Sequence, residues 1–315
     1  MSSSNFNYKY TPLKNNKNMT NWSTQNIPNQ SGKVIIVTGA SSGLGKEIAT
    51  VLASKNATVV MAVRNIEKAQ GVASEIKQAY PSANLDIRKL ELDSLNSVKE
   101  FASNFLKDYQ SLDILINNAG VMACPFSLTV DGFEIQMGVN HLGHFALTGL
   151  LMPLLEKTKN SRIVATSSIA HRRGNIDFDD INWGKRKYST MKAYSDSKLA
   201  NLYFTYELAR KLENKPGAPM VVAAHPGVTS TELSRHSFIF KTLIPLFAQK
   251  EDKGALPTLR AAIDPEAKSG DYYGPDGFME LGGNAVIVKS TPLSYDTAKA
   301  AKLWELSENV TGVKY

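Results

Sequence analysis

The stretch Thr38-Gly39-Ala40-Ser41-Ser42-Gly43-Leu44-Gly45 follows directly on the apolar, β-branched run 33–38 and opens a helix-like segment, 43–54. That order of strand, glycine turn and helix decides the fold. Gly39 permits a tight turn, Gly43 lets backbone come close to a pyrophosphate, and Gly45 lets the helix pack against the strand. The free N–H groups and the positive end of the helix dipole then face the phosphates. The spacing is Gly-x-x-x-Gly-x-Gly rather than the commoner Gly-x-Gly-x-x-Gly. Alone, a glycine triplet is weak evidence. At the first strand-to-helix crossover it is strong.

Outward from this turn, short apolar runs alternate with helical stretches. Residues 58–62 predict a second strand, and 66–79 a second helix ending before Pro81. Further strands are expected at 85–92, 112–116, 162–166 and 221–224, with 285–288 as the last. Helices are expected near 95–107, 133–155 and 194–212. Near-continuous apolar strands separated by helices imply a parallel sheet covered on both faces. The expectation is a Rossmann-type, doubly wound α/β fold in one domain, 31–315. Segments 172–191 and 230–255 break the alternation and follow strand ends, where open α/β sheets bind ligands. They read equally as substrate loops and as plain surface loops.

The first 30 residues hold no acidic side chain and are rich in Ser, Asn and Lys. Without arginine or an amphipathic stripe they read as a disordered tail rather than a transit peptide. No run reaches the ~20 apolar residues of a membrane span. The apolar segment 238–247 reads as a substrate lid, with peripheral membrane contact as the other reading. The single cysteine, Cys124, excludes an internal disulfide and fits a reduced, cytoplasmic setting. The net charge of +7 comes from dispersed lysines and short clusters such as Lys185-Arg186-Lys187. This is a solvated surface attractive to a phosphate-rich cofactor, not a nucleic-acid interface.

Tyr194 and Lys198 stand four residues apart on an expected helix, so they share a face about 6 Å apart along its axis. A phenol with a pKa near ~10 is a poor base at neutral pH. A neighbouring ammonium is expected to lower that value, so the hydroxyl could exchange a proton with an alcohol or carbonyl oxygen.

With Asn117-Asn118-Ala119-Gly120 between them, the glycine turn and Tyr194-Ser195-Asp196-Ser197-Lys198 together resemble the short-chain dehydrogenase/reductase family. The resemblance covers residues 31–315. It implies a nicotinamide cofactor held by Gly39, Ser41, Ser42, Gly43, Leu44 and Gly45, with Asn118, Ala119 and Gly120 on its adenosine side. Asp93 resembles the family aspartate that contacts adenine, and it also reads as a helix cap. Pro226, Gly227, Val228 and Thr231 resemble the segment beside the nicotinamide. The implied catalytic set is Asn140, Ser168, Tyr194 and Lys198, with Asn140 holding a water that leads to the lysine. Ser167 is the neighbouring alternative to Ser168.

Where an acidic residue would repel a 2′-phosphate, the second strand ends in Val63 followed by Arg64. NADP(H) is therefore expected over NAD(H). Ser42 stands where some NADP-dependent relatives carry a second basic residue. The long 168–194 interval, His225-Pro226-Gly227 and the ending near Trp304 resemble the retinol-dehydrogenase-like branch. That branch implies hydrophobic carbonyl or alcohol substrates such as retinoids, steroids or lipid aldehydes. The same motifs also suit a silent cofactor-binding sensor or scaffold, or a carbon–carbon double-bond reductase of protochlorophyllide type. His141 and His144 share a helix face but lack a third ligand, so no metal is expected. Helices 133–155 and 194–212 are the pair that relatives often use to dimerise, though monomers also occur.

Overall fold

Strand β1 (Val34–Thr38) is apolar up to its final residue, Thr38, because both of its faces are covered. Ile35 and Val37 point to one core, Ile36 to the other, as the two-residue period of a strand requires. The computed structural model describes residues 21–229 and 249–315. In it, β1 pairs in parallel with β2 (Thr58–Val63) on one side and β4 (Ile114–Asn117) on the other. Outside these lie β3 (Asn84–Lys89) and, in turn, β5 (Arg162–Thr166), β6 (Met220–Ala224) and β7 (Tyr272–Pro275). The last strand, β8 (Ala285–Ile287), runs antiparallel to β7. The order is β3-β2-β1-β4-β5-β6-β7-β8. This is the doubly wound fold expected, and its direction of winding reverses between β1 and β4. The loops leaving those two strands diverge and leave a crevice at their carboxyl ends.

Helices α1 (Gly43–Ser54) and α2 (Ile66–Ala79) cover the Ile35 face, joined by α7 (Glu251–Ile263). The Ile36 face is covered by α3 (Leu95–Asp108), α5 (Gly143–Lys157) and α6 (Thr190–Leu212). A short turn, α4 (Ile135–Met137), leads into α5 through a π-helical turn, Gly138–Leu142. The final helix, α8 (Thr297–Thr311), lies on α6. Its Trp304 stacks on Phe204, with ring centres 6.1 Å apart, and Tyr315 donates to the Phe145 carbonyl. The carboxyl-terminal segment thus packs against part of both helices of the pair expected as a dimer face.

Several expectations need correction. Part of the presumed tail is folded: Ile27 is buried in the core, and the Gln30 N–H reaches the Lys55 carbonyl. Residues 1–20 lie outside the described residues. Strand β3 stops at Lys89 rather than residue 92, and helix α6 starts at Thr190. The end of the presumed loop 230–255 is helical, since α7 begins at Glu251. The rest of that loop, including Thr231 and the lid segment 238–247, lies outside the described residues. Strand β7, which ends in Gly274 and Pro275, was not foreseen.

Candidate active site

Gly39 adopts φ +72°, and its N–H donates to the Ala62 carbonyl at the end of β2. Gly43 adopts φ +53°, a left-handed conformation that favours glycine. At Gly45 a Cβ would stand 2.2 Å from the Gly39 carbonyl oxygen, so only hydrogen fits. The turn is locked to β4 by Thr38. Its hydroxyl oxygen accepts from the N–H groups of Asn118 and Ala119, both at 2.9 Å, and its carbonyl accepts from Asn118 Nδ2. Two adjacent strand ends are thereby stitched together at the crevice.

The crevice is a cleft of about 780 Å³. Gly39, Ser41, Ser42, Gly43, Leu44 and Gly45 form one end of it. Arg64 and Asp93 stand along its rim, and Asn118, Ala119 and Gly120 form its floor. Tyr194, Lys198 and Pro226 complete the far end. Gly227 and Val228 lie behind the wall: Val228 donates to the Leu281 carbonyl and accepts from Gln249. A second cavity, about 450 Å³ beside Trp22 and Gln249, contains none of these groups.

At the far end, Tyr194 and Lys198 lie on one face of α6, and both are buried. Lys198 Nζ is 5.6 Å from the centre of the Tyr194 ring and donates to the Thr166 carbonyl at 3.2 Å. Asn201, one turn further on, donates to the same carbonyl. Burial pushes the Tyr194 hydroxyl up to about 12, with the Ser168 side chain opposing. Burial also pulls the Lys198 ammonium down to about 8. The expected lowering of the phenol by its lysine is not seen: burial dominates, and the only opposing contribution comes from Ser168.

The two candidate serines differ in their partners, and Ser167 is the one that lines the cleft. Ser167 donates to the Lys198 carbonyl at 2.9 Å and is committed to holding the helix. Ser168 caps a 3₁₀ turn, Ile169–Arg173, and its side chain faces Tyr194. Asn140 has its side chain fully engaged: Oδ1 accepts from the Val121 N–H, and Nδ2 donates to the Val121 carbonyl and to Ser197 Oγ. It clamps the loop after β4 to α6, a role the sequence did not reveal. Gly120 leaves room for this, since a Cβ there would meet Asn140 Oδ1 at 3.0 Å.

Other expected roles shift. Ser94, not Asp93, caps α3. His144 bonds to Thr38 and to the Asn140 carbonyl, while His141 bonds to Ser307 of α8. Among the described residues no cluster of three metal-ligating groups occurs. Cys124 is half-buried on the cleft wall, with its thiol pushed up by burial. Lys68 was missed by the sequence reading, yet it lines the rim near Arg64, in the first turn of α2, where its N–H donates to the Asn65 cap. Its place at the start of the helix that follows Arg64 was the available signal. Near the mouth, Tyr188 donates to Glu134 and packs edge-on against Phe126 at 5.2 Å. This pins the 172–191 loop to the wall.

Residues 33–240 match the family model described as short chain dehydrogenase. Human retinol dehydrogenase 13 is 42% identical over 294 residues, covering 90% of this chain and 86% of that protein. Mouse retinol dehydrogenase 12 is 40% identical over 289 residues, covering 90% and 88%. Among solved structures, an uncharacterised protein from Mycobacterium paratuberculosis superposes with TM-score 0.80 at 40% identity, covering 94% of this chain and 99% of that one. A structure described as a short chain dehydrogenase from Escherichia coli CFT073, complexed with NADPH, superposes with TM-score 0.63 at 29% identity, covering 78% and 96%.

Proposed function

The chain belongs to the short-chain dehydrogenase family, in its retinol-dehydrogenase-like branch, and on that premise we propose that it interconverts hydrophobic carbonyls and alcohols with NADP(H), using Tyr194 for proton transfer. Family membership makes it an oxidoreductase of CH–OH and C=O groups that uses a nicotinamide cofactor. The observation that carries the finer reading is one cleft with a glycine turn at one end and the buried Tyr194–Lys198 pair at the other.

The residues present fit a dinucleotide. The turn Gly39–Gly45 closes as it does because Gly45 has no Cβ to strike the Gly39 carbonyl, and the cleft falls within the roughly 300–1,000 Å³ of ligand sites. The first N–H groups of α1 would hold the pyrophosphate. Asp93, Asn118, Ala119 and Gly120 would border the adenosine. Arg64 lies exposed on the rim with Lys68 beside it, and together they supply positive charge for a 2′-phosphate. No carboxylate replaces them at the end of β2, which supports NADP(H) over NAD(H).

When bound, a reduced nicotinamide supplies a hydride to the carbonyl carbon. Ser168 holds the carbonyl oxygen, and Tyr194 gives that oxygen its hydroxyl proton. The Lys198 ammonium stabilises the phenolate that remains, and alcohol oxidation runs the same path in reverse. Asn140 and Ser167 keep the lysine and the loop after β4 in register. Apolar side chains at the mouth, including Met122, Pro125, Phe126 and Val139, favour a hydrophobic substrate.

The test follows NADPH oxidation by the full chain against retinaldehydes, medium-chain aldehydes, steroid ketones and small polar carbonyls. Turnover confined to the hydrophobic members is expected. Absence of turnover with every carbonyl, in a protein that binds NADPH, would overturn the reading.

A further inference from the structure

His225 is fully buried at the end of β6 and lies over Gly274 of β7, where a Cβ would stand 2.0 Å from its Nε2. Its two ring nitrogens have unambiguous roles. Nδ1 accepts from the Gly227 N–H at 3.2 Å, so the proton sits on Nε2, which donates to Glu280 Oε2 at 3.0 Å. The other carboxylate oxygen of Glu280 pairs with Arg172 Nη2 at 2.7 Å. His171 and Tyr272 are the remaining polar rings around this cluster.

The backbone bearing Glu280 is strained. Met279 and Glu280 adopt φ +52° and +58°, unusual for residues with side chains. The loop joining β7 to β8 is held in that shape by Asp276, which accepts from the Asn284 N–H, and by the Gly277–Gly282 backbone contact. Leu281, next in line, accepts from the Val228 N–H, and a Cβ on Gly227 would strike its carbonyl at 2.5 Å. Gly227 itself is left-handed at φ +71°. The hairpin tip therefore supports the segment that presents Pro226 to the cleft. Arg172 lies on the 3₁₀ turn that begins after Ser168.

We propose that Glu280 is a positioning residue for the cofactor: through His225 it sets the Gly227 turn that brings Pro226 to the cleft wall, and through Arg172 it ties that turn to the one carrying Ser168. One carboxylate thus holds the cofactor side and the substrate side of the cleft in fixed relation. The proposal rests on the oxidoreductase reading above. The reason for an acid here is chemical. Only an acceptor at this point favours the Nε2–H tautomer, and only that tautomer leaves Nδ1 free to accept from Gly227.

The test compares wild type with Glu280→Ala, Glu280→Gln and His225→Asn. Three quantities are measured: the NADPH dissociation constant from cofactor fluorescence, the imidazole ¹⁵N spectrum, and the melting temperature without cofactor. Glu280→Ala is expected to weaken NADPH about tenfold and to lose the single Nε2–H signature, whereas Glu280→Gln, whose amide oxygen still accepts, stays within about threefold of wild type and keeps it. In the His225→Asn background the amide oxygen can accept from Gly227 without help, so adding Glu280→Ala should cost little more. Unchanged NADPH binding in Glu280→Ala would overturn the proposal. So would Glu280→Gln losing as much affinity as Glu280→Ala while the tautomer signature stays intact. A wild type that binds NADPH yet turns over no carbonyl fails the oxidoreductase reading and leaves the Glu280 comparison standing. A wild type that binds no NADPH overturns both.

Discussion

Thr38 Oγ1 lies 2.9 Å from Nε2 of His144, and this buried contact joins the glycine turn to the helix that follows Asn140. Thr38 Oγ1 accepts from two backbone N–H groups, and its own hydrogen is shared between His144 Nε2 and, at 3.3 Å, the Ile116 carbonyl. The opposite ring nitrogen then donates to the Asn140 carbonyl at 3.1 Å. The π turn Gly138–Leu142 is what offers that carbonyl to a side chain, as such turns commonly do near functional sites.

His144→Leu should therefore leave the Asn140 carbonyl without its side-chain donor in the core and the Thr38 hydroxyl with only the Ile116 carbonyl to donate to. The expected cost is about 1–3 kcal/mol in urea unfolding, with weaker NADPH binding as a second effect. A variant as stable as wild type would show that the contact is not needed.

The same histidines make the protein sensitive to acid. Burial holds His141 down to about 3 and His144 to about 4, against an ordinary 6.5. Below pH 6.5 the unfolded chain gains protons that the folded chain refuses, so folded stability drops as pH falls through this window. Unfolding midpoints measured from pH 7 to about 4 should decline, and His144→Leu should flatten part of the decline. A midpoint rising toward acid would contradict the assignment.

Carbonyl reduction should lose rate on the alkaline side. The Tyr194 hydroxyl, pushed up to about 12, keeps its proton, but Lys198 keeps its charge only below about 8. The kcat/KM profile for reduction should be level at neutral pH and fall above about 8. In Lys198→Arg the guanidinium stays charged, so the falling limb should move upward. An unmoved limb would assign it to another group.

Cofactor choice turns on Arg64. Arg64→Asp should reduce the NADPH-to-NADH preference about tenfold or more, through loss of a charge-assisted contact and gain of a repelling carboxylate. Lys68→Ala should do so to a smaller degree. Equal ratios in Arg64→Asp and wild type would remove the residue from 2′-phosphate recognition.

The features legible in the sequence were those written locally. The glycine turn, the Tyr194–Lys198 spacing and the alternation of apolar strands each lie within a few residues, and each appears where expected. What escaped depended on distant partners. Strand β7 is short, ends in Gly274-Pro275 and exists because it pairs with β6 and β8. Helix α7 carries Gly254 and Pro257, poor helix formers, and Gly254 is needed because Thr229 leaves no room for a Cβ. The division of labour between Ser167 and Ser168, and the clamp made by Asn140, follow from which atoms face them across the fold. The upward push on Tyr194 came from burial, which spacing along a helix does not report.

Deuterium transfer from [4-²H]NADPH tests the central claim most directly, in wild type and in Tyr194→Phe, with one hydrophobic aldehyde as acceptor. The account predicts labelled alcohol from wild type, and almost none from Tyr194→Phe, although that variant binds NADPH with nearly unchanged affinity. Equal label from both proteins would show that the proton comes from elsewhere.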